Sequence, residues 1–158
     1  MKTALFVGRF QPFHNSHLLD VKNILKKNDE IIIGIGSSQE KRTLQNPFSF
    51  NERKKMISLV LKANKIKNFK IYPVPDFYDD ARWIGYIKKK VPKFDIVISG
   101  NDWVLRCFKK HNIKTNKIRL IGKVNSTKVR DLMKKGKEWE KLVPKEIFRY
   151  IVNCKVTK

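Results

Sequence analysis

Apolar residues fall in short runs separated by longer amphipathic stretches. Ala4-Leu5-Phe6-Val7, closed by Gly8, reads as a buried strand. Leu18, Val21, Ile24 and Leu25 recur at helical spacing and predict a helix over about 14–27. Ile31-Ile32-Ile33 and Ile35, with Gly34 and Gly36, form a second strand pattern. Ser49-Phe50-Asn51-Glu52 has the form of a capping box and opens a helix through Met56, Leu59 and Val60. Phe69 to Val74 reads as a third strand with its end broken by Pro73 and Pro75. Trp83, Ile84, Ile87 and Val91 give the next helix, stopped by Pro92. Phe94 to Ile98 is a fourth strand, ending in Ser99-Gly100-Asn101. A helix over about 102–110 and a strand at Ile118-Arg119-Leu120-Ile121 follow. Asn125 or Ser126 caps a helix holding Val129, Leu132 and Met133, and Pro144 suits the first turn of a last helix. Strands alternating with helices predict an α/β fold with a doubly wound parallel sheet and helices on both faces. Residues 1–158 read as a single domain, with C-terminal helices at about 126–153 packed on it. Such sheets bind ligands at the carboxyl ends of their strands.

Charge changes the picture next. The 158 residues carry 36 Lys and Arg against 14 Asp and Glu, a net charge of +22. Residues 84–158 hold +15 of it. Partners are therefore expected to be anionic: nucleic acid, nucleotides, phosphates or a membrane surface. No apolar run approaches the roughly 18 residues of a membrane span. The start of the chain lacks the form of a signal peptide, and Cys107 and Cys154 have no metal-type spacing, so a soluble cytoplasmic protein is expected.

The segment after the first strand is Gly8-Arg9-Phe10-Gln11-Pro12-Phe13-His14-Asn15-Ser16-His17. Its two histidines lie three apart at a helix start, so the imidazoles share a face. Free N–H groups and the dipole at that start attract phosphate, and Arg9 adds to an anion clamp. A zinc pair is the competing reading, and it lacks a third ligand at familiar spacing. Late in the chain, Asn125-Ser126-Thr127 begins a helix, with Arg130 one turn on.

Taken together, these two segments resemble the signatures of the HxGH nucleotidyltransferase superfamily, which has a Rossmann-like fold. The closer resemblance is to archaeal-type nicotinamide-nucleotide adenylyltransferases, whose G-R-x-Q-P-F-H matches Gly8 to His14. Ile32 to Gln39, Asn46-Pro47-Phe48, Glu52-Arg53, Ser99-Gly100-Asn101, and Trp139 with Val143-Pro144 also fall in order. The chain departs from the pattern at Ser16, where the motif has glycine. It departs again at Asn125-Ser126-Thr127, where the archaeal enzymes usually have Ser-Gly-Thr, and at Asp80, where an Asn is expected.

The resemblance implies transfer of AMP from ATP to nicotinamide mononucleotide (NMN), giving NAD and pyrophosphate. It implies catalysis by His14, His17, Arg9 and Arg130. ATP would be bound by Gly8, Arg9, Phe10, Gln11, Phe13, His14, His17, Gly100, Asn101, Asn125, Ser126, Thr127 and Arg130. The nicotinamide end would be bound by Ser37, Asp76, Asp80 and Trp83, with Trp83 stacked on the pyridinium. Mg2+ would arrive with ATP, with no dedicated protein ligands, and the chain would form a homo-oligomer, a hexamer in many archaeal members. One alternative is a sister adenylyl- or cytidylyltransferase acting on pantetheine phosphate, a flavin nucleotide or glycerol phosphate. Another is a basic nucleic-acid-binding protein, with the helix bearing Lys128, Arg130, Lys134 and Lys135 as its best basic stretch. No zinc finger, helix-turn-helix or aromatic RNA-binding signature supports that second alternative.

Overall fold

The computed structural model describes residues 1–118 and 124–154. Five strands pair into one parallel sheet: β1 (Thr3–Gly8), β2 (Glu30–Gly36), β3 (Phe69–Val74), β4 (Ile96–Ser99) and β5 (Thr115–Lys117). Their order is β3-β2-β1-β4-β5. The chain adds β2 and β3 on one side of β1, then returns to add β4 and β5 on the other. The direction of winding thus reverses between β1 and β4, the switch point of a Rossmann-like sheet. Leu5 pairs across to Ile32 and Val97, and all three are fully buried, as an interior parallel ladder requires.

Among the described residues there are six α-helices: α1 (Asn15–Leu25), α2 (Phe50–Ala63), α3 (Asp80–Lys90), α4 (Asp102–Lys109), α5 (Ser126–Lys134) and α6 (Lys145–Cys154). A 3-10 turn at Glu140–Leu142 precedes the last. The chain clusters into two compact units. The first comprises residues 1–9, 21–38 and 68–118, and holds the whole sheet with α3 and α4. Its core joins Leu5, Val7, Ile32, Val97, Trp83, Ile84 and Phe108. The second comprises residues 10–20, 39–67 and 124–154. There the Ser49 hydroxyl accepts from Glu52 N–H and the Glu52 carboxylate accepts from Ser49 N–H, completing the capping box of α2. Arg42 forks onto the same carboxylate at 2.8 and 2.6 Å and donates to Pro47 O, tying down the loop before α2.

The structure keeps β3 at Phe69–Val74 but starts β4 at Ile96, two residues later than expected, and carries it on to Ser99. Pro73 lies inside β3, paired with Ile35, which is tolerated because β3 is an edge strand with one unpaired side. The fifth strand is Thr115–Lys117, set by its pairing with Val97–Ser99. Ile118 lies just past it, its N–H donating to Ser99 O, and residues 119–121 lie outside the described residues. Pro144 stands one residue before α6 and its carbonyl accepts from Ile147 N–H.

Candidate functional site

The loop after β1 turns through Phe10 at φ +53°, followed by a cis Gln11–Pro12 bond. Gln11 is 1% exposed. Its amide donates to Phe48 O (2.9 Å) and accepts from Phe48 N–H (3.0 Å). Its side chain thus holds the loop against the residues leading into α2. The loop's own carbonyls anchor α5. Arg130 Nη1 donates to Gln11 O (2.8 Å) and the Ser126 hydroxyl donates to Pro12 O (3.0 Å). Arg130 Nη2 also reaches the Thr127 hydroxyl at 3.3 Å. Asn125 is the cap of α5, accepting from Lys128 N–H. Ser126, one of the two caps expected, is instead the first helical residue.

His14 and His17 are interlocked. His14 N–H donates to His17 Nδ1 (3.2 Å) and His17 N–H donates to His14 Nδ1 (3.3 Å). The rings stack with centroids 3.6 Å apart and 16° between planes. Phe10 and Phe13 close on the His17 ring at 4.8 and 5.3 Å. An Nδ1 that accepts a hydrogen bond carries no proton, so each neutral imidazole bears its proton on Nε2. Burial lowers the His14 pKa to about 4. Burial, then the neighbouring His14, holds His17 well below the usual histidine range. At neutral pH both imidazoles are therefore uncharged, with their protons on Nε2. This differs from the expected clamp of bare helix N–H groups: two of those main-chain donors are taken by the imidazoles themselves.

Stability should depend on pH through this pair. Both histidines bind protons more weakly folded than unfolded, so their contribution is complete above the ordinary value of 6.5 and is lost as pH falls towards 4. Asp20, buried on α1, is raised to about 6, so its contribution runs the other way, present in acid and lost as pH rises from 3.8 through 6. Two histidines outweigh one carboxyl, so Tm is expected to fall between pH 6.5 and 4. His14→Gln should flatten that slope, and a wild-type Tm rising into acid over this range would overturn the assignment.

In the sheet unit, the carboxyl ends of the strands carry the remaining expected residues. A Cβ at Gly36 would stand 3.5 Å from Gly8 O and 3.8 Å from Arg9 Cγ, which shows how closely the ends of β1 and β2 approach. Arg9 is exposed beyond β1, and Ser37 takes φ +46° after β2. Ser99 Oγ donates to Val7 O and accepts from Asn101 N–H. Asn101 caps α4 by accepting from the N–H of Trp103 and Val104. Gly100 faces open space. Asp76 is exposed, and Asp79, which the motif reading passed over, caps α3 by accepting from Ala81 and Arg82 N–H. Asp80 opens α3 beside Cys107, whose thiol is pushed up to about 11 by burial and then by the Asp80 carboxylate. Trp83, expected to offer a stacking face, is 2% exposed and packed in the core. Trp103 is the more accessible of the two, 37% exposed and packed on Trp83 with centroids 4.9 Å apart. Its position two residues past Asn101 was the signal that could have found it. Among the described residues no three His, Cys, Asp or Glu are grouped to hold a metal, and no helix is long and apolar enough to cross a membrane.

The profile of the cytidylyltransferase-like family matches residues 5–149. The chain belongs to that family. It is 40% identical over 152 residues to a nicotinamide-nucleotide adenylyltransferase of Thermoplasma acidophilum, covering 95% of this chain and 85% of the relative. It is 39% identical over 156 residues to the protein of the same name from Pyrococcus furiosus, covering 96% and 83%. A crystal structure of a bifunctional NMN adenylyltransferase/ADP-ribose pyrophosphatase from Francisella tularensis, complexed with AMP and Mn ion, superposes with a TM-score of 0.79 at 27% identity. That match covers 90% of this chain and 44% of the two-activity chain. The motif resemblance and the family agree, and so does the Rossmann-like α/β fold.

Proposed function

We propose that this protein is a nicotinamide-nucleotide adenylyltransferase of the cytoplasm, making NAD and pyrophosphate from ATP and NMN. The observation that carries the reading is the interlocked His14–His17 pair, two neutral imidazoles protonated on Nε2 in the segment whose sequence resembles the phosphate-binding signature of the nucleotidyltransferases. A phosphate oxygen of NMN attacks the α-phosphorus of ATP. The new P–O bond forms as the bond to the β-phosphate oxygen breaks, and pyrophosphate leaves with that electron pair. The attacking phosphate is already ionised, so no general base is needed. Positioning and charge stabilisation supply the catalysis. Neutral imidazoles suit such a reaction, because they donate to developing charge without exchanging protons near pH 7.

His17 serves the α-phosphoryl group, and His14 binds beside it. Arg9 and Arg130 hold the β- and γ-phosphates by their positive charge, Arg130 while its guanidinium is anchored on Gln11 O and Thr127. Ser126 and Thr127 contribute main-chain N–H groups at the start of α5, since the Ser126 hydroxyl is engaged with Pro12 O. The divalent ion enters as part of the ATP substrate, with Mg2+ the one proposed. The residues act as one nucleotidyltransferase domain, assembled as a homo-oligomer.

At the acceptor end, Asp76 and Asp80 accept hydrogen bonds when ionised and repel carboxylates. They suit the carboxamide and positive ring of NMN. Trp103, backed by Trp83, offers the more accessible aromatic ring for it. The amide nucleotide should be turned over in strong preference to nicotinic acid mononucleotide, and Asp80→Asn should narrow the gap. Equal turnover of the two by the wild type would remove the role given to the carboxylates. The reading as a whole is tested by supplying Mg·ATP with NMN, pantetheine phosphate or flavin mononucleotide, and Mg·CTP with glycerol phosphate, and measuring pyrophosphate. Release with NMN alone, matched by NAD, is the expected result. Release only with another acceptor would replace the proposed one.

A further inference from the structure

Two adjoining helices in the sheet unit end in lysine. Lys88, Lys89 and Lys90 form the last turn of α3, and Lys93 follows before β4. Lys109 closes α4, with Lys110 as its cap and Lys114 leading into β5. All seven are exposed. Because the strands are parallel, the segments entering β4 and β5 lie at the amino ends of the strands. The Gly8–Arg9 and Ser99–Asn101 turns lie at the carboxyl ends. The lysines therefore cluster on the edge of the sheet away from those turns.

Residues 84–118 contain nine basic and two acidic side chains. Both acids are engaged elsewhere: Asp95 accepts from Thr3 N–H at 2.8 Å, and Asp102 pairs with Lys117 at 2.9 Å. Among the described residues none of the seven lysines enters an ion pair. A helix C-terminus favours a cation in its last turn. That accounts for one lysine per helix, and not for three in succession with more in the segments that follow. Uncompensated charges this close destabilise the fold by self-repulsion, and a polyanion relieves it.

We propose that this edge binds nucleic acid through its phosphate backbone, without reading sequence. A chain of phosphates matches a cluster spread over two helix ends better than a small anion does. Lysines act as point charges, which suits contact to any strand. A membrane surface fits less well. Interfacial binding needs apolar side chains among the cations, and the one large exposed apolar residue in 84–118 is Trp103, at the opposite end of α4.

The test compares two triple variants of equal net charge in the full chain. K88Q/K89Q/K90Q removes part of the cluster. K134Q/K135Q/K137Q removes three exposed lysines at and beyond the end of α5. Anisotropy of a fluorescent RNA single strand should show binding by the wild type that weakens steeply between about 50 and 200 mM salt. The first variant should lower the slope of log K against log salt by about 2, at unchanged NAD synthesis, while the second leaves it nearly intact. No binding at low salt, or equal losses in both variants, would overturn the proposal. So would capture by anionic phospholipid vesicles without capture of RNA.

Discussion

Replacing His17 by Ala should lower kcat by about 10³-fold while the KM for ATP moves only a few-fold, the pattern of a donor whose contact strengthens in the transition state. The structure adds a second, separable effect. His17 Nδ1 is the acceptor for His14 N–H, so Ala also strips a part-buried main-chain donor of its partner. That loss costs about 1–3 kcal/mol of stability. Measuring kcat at a temperature well below the variant's Tm separates the two. A variant with near-normal kcat would remove His17 from the reacting phosphate, whatever its stability.

The second large effect is structural. Gln11→Ala removes both hydrogen bonds to the Phe48 main chain, inside a region where Gln11 is 1% exposed. Two buried backbone groups lose their partner, costing about 3 kcal/mol. For a chain of this size that is a Tm lowered by roughly 6–12 °C. Gln11→Glu should fare no better, since a carboxylate cannot donate to Phe48 O. Activity should fall with the fold, because the same loop supplies the carbonyls that hold Arg130 and Ser126. A Tm within a degree of wild type would show that this pairing carries little of the loop's stability.

The sequence was most informative where the determinant is local. The capping box of α2 needs four consecutive residues, and it formed as read. β3 spans Phe69–Val74, as its apolar run suggested. β5 is Thr-Asn-Lys, with no apolar signature to mark it; its pairing with β4 defines it, and Arg119-Leu120-Ile121 of the strand expected next lie outside the described residues. Spacing placed His14 and His17 on one face, but said nothing of the reciprocal bonds that set their tautomers. The Ser126 bond to Pro12 joins residues 114 apart in sequence, beyond any local pattern. Trp83 and Trp103 illustrate the same limit: the resemblance pointed to Trp83 alone, and packing leaves Trp83 buried and Trp103 the more exposed of the two.

The exchange of backbone bonds between His14 and His17 also narrows the paths by which this chain could change. Neither histidine can be traded alone without leaving its partner's main-chain N–H stranded. A substitution at either position thus removes a backbone acceptor together with the phosphate donor proposed for it. A descendant drifting away from adenylyl transfer would have to replace both at once, or first acquire another acceptor at the start of α1. Selection for a well-folded protein alone is then enough to retain the pair.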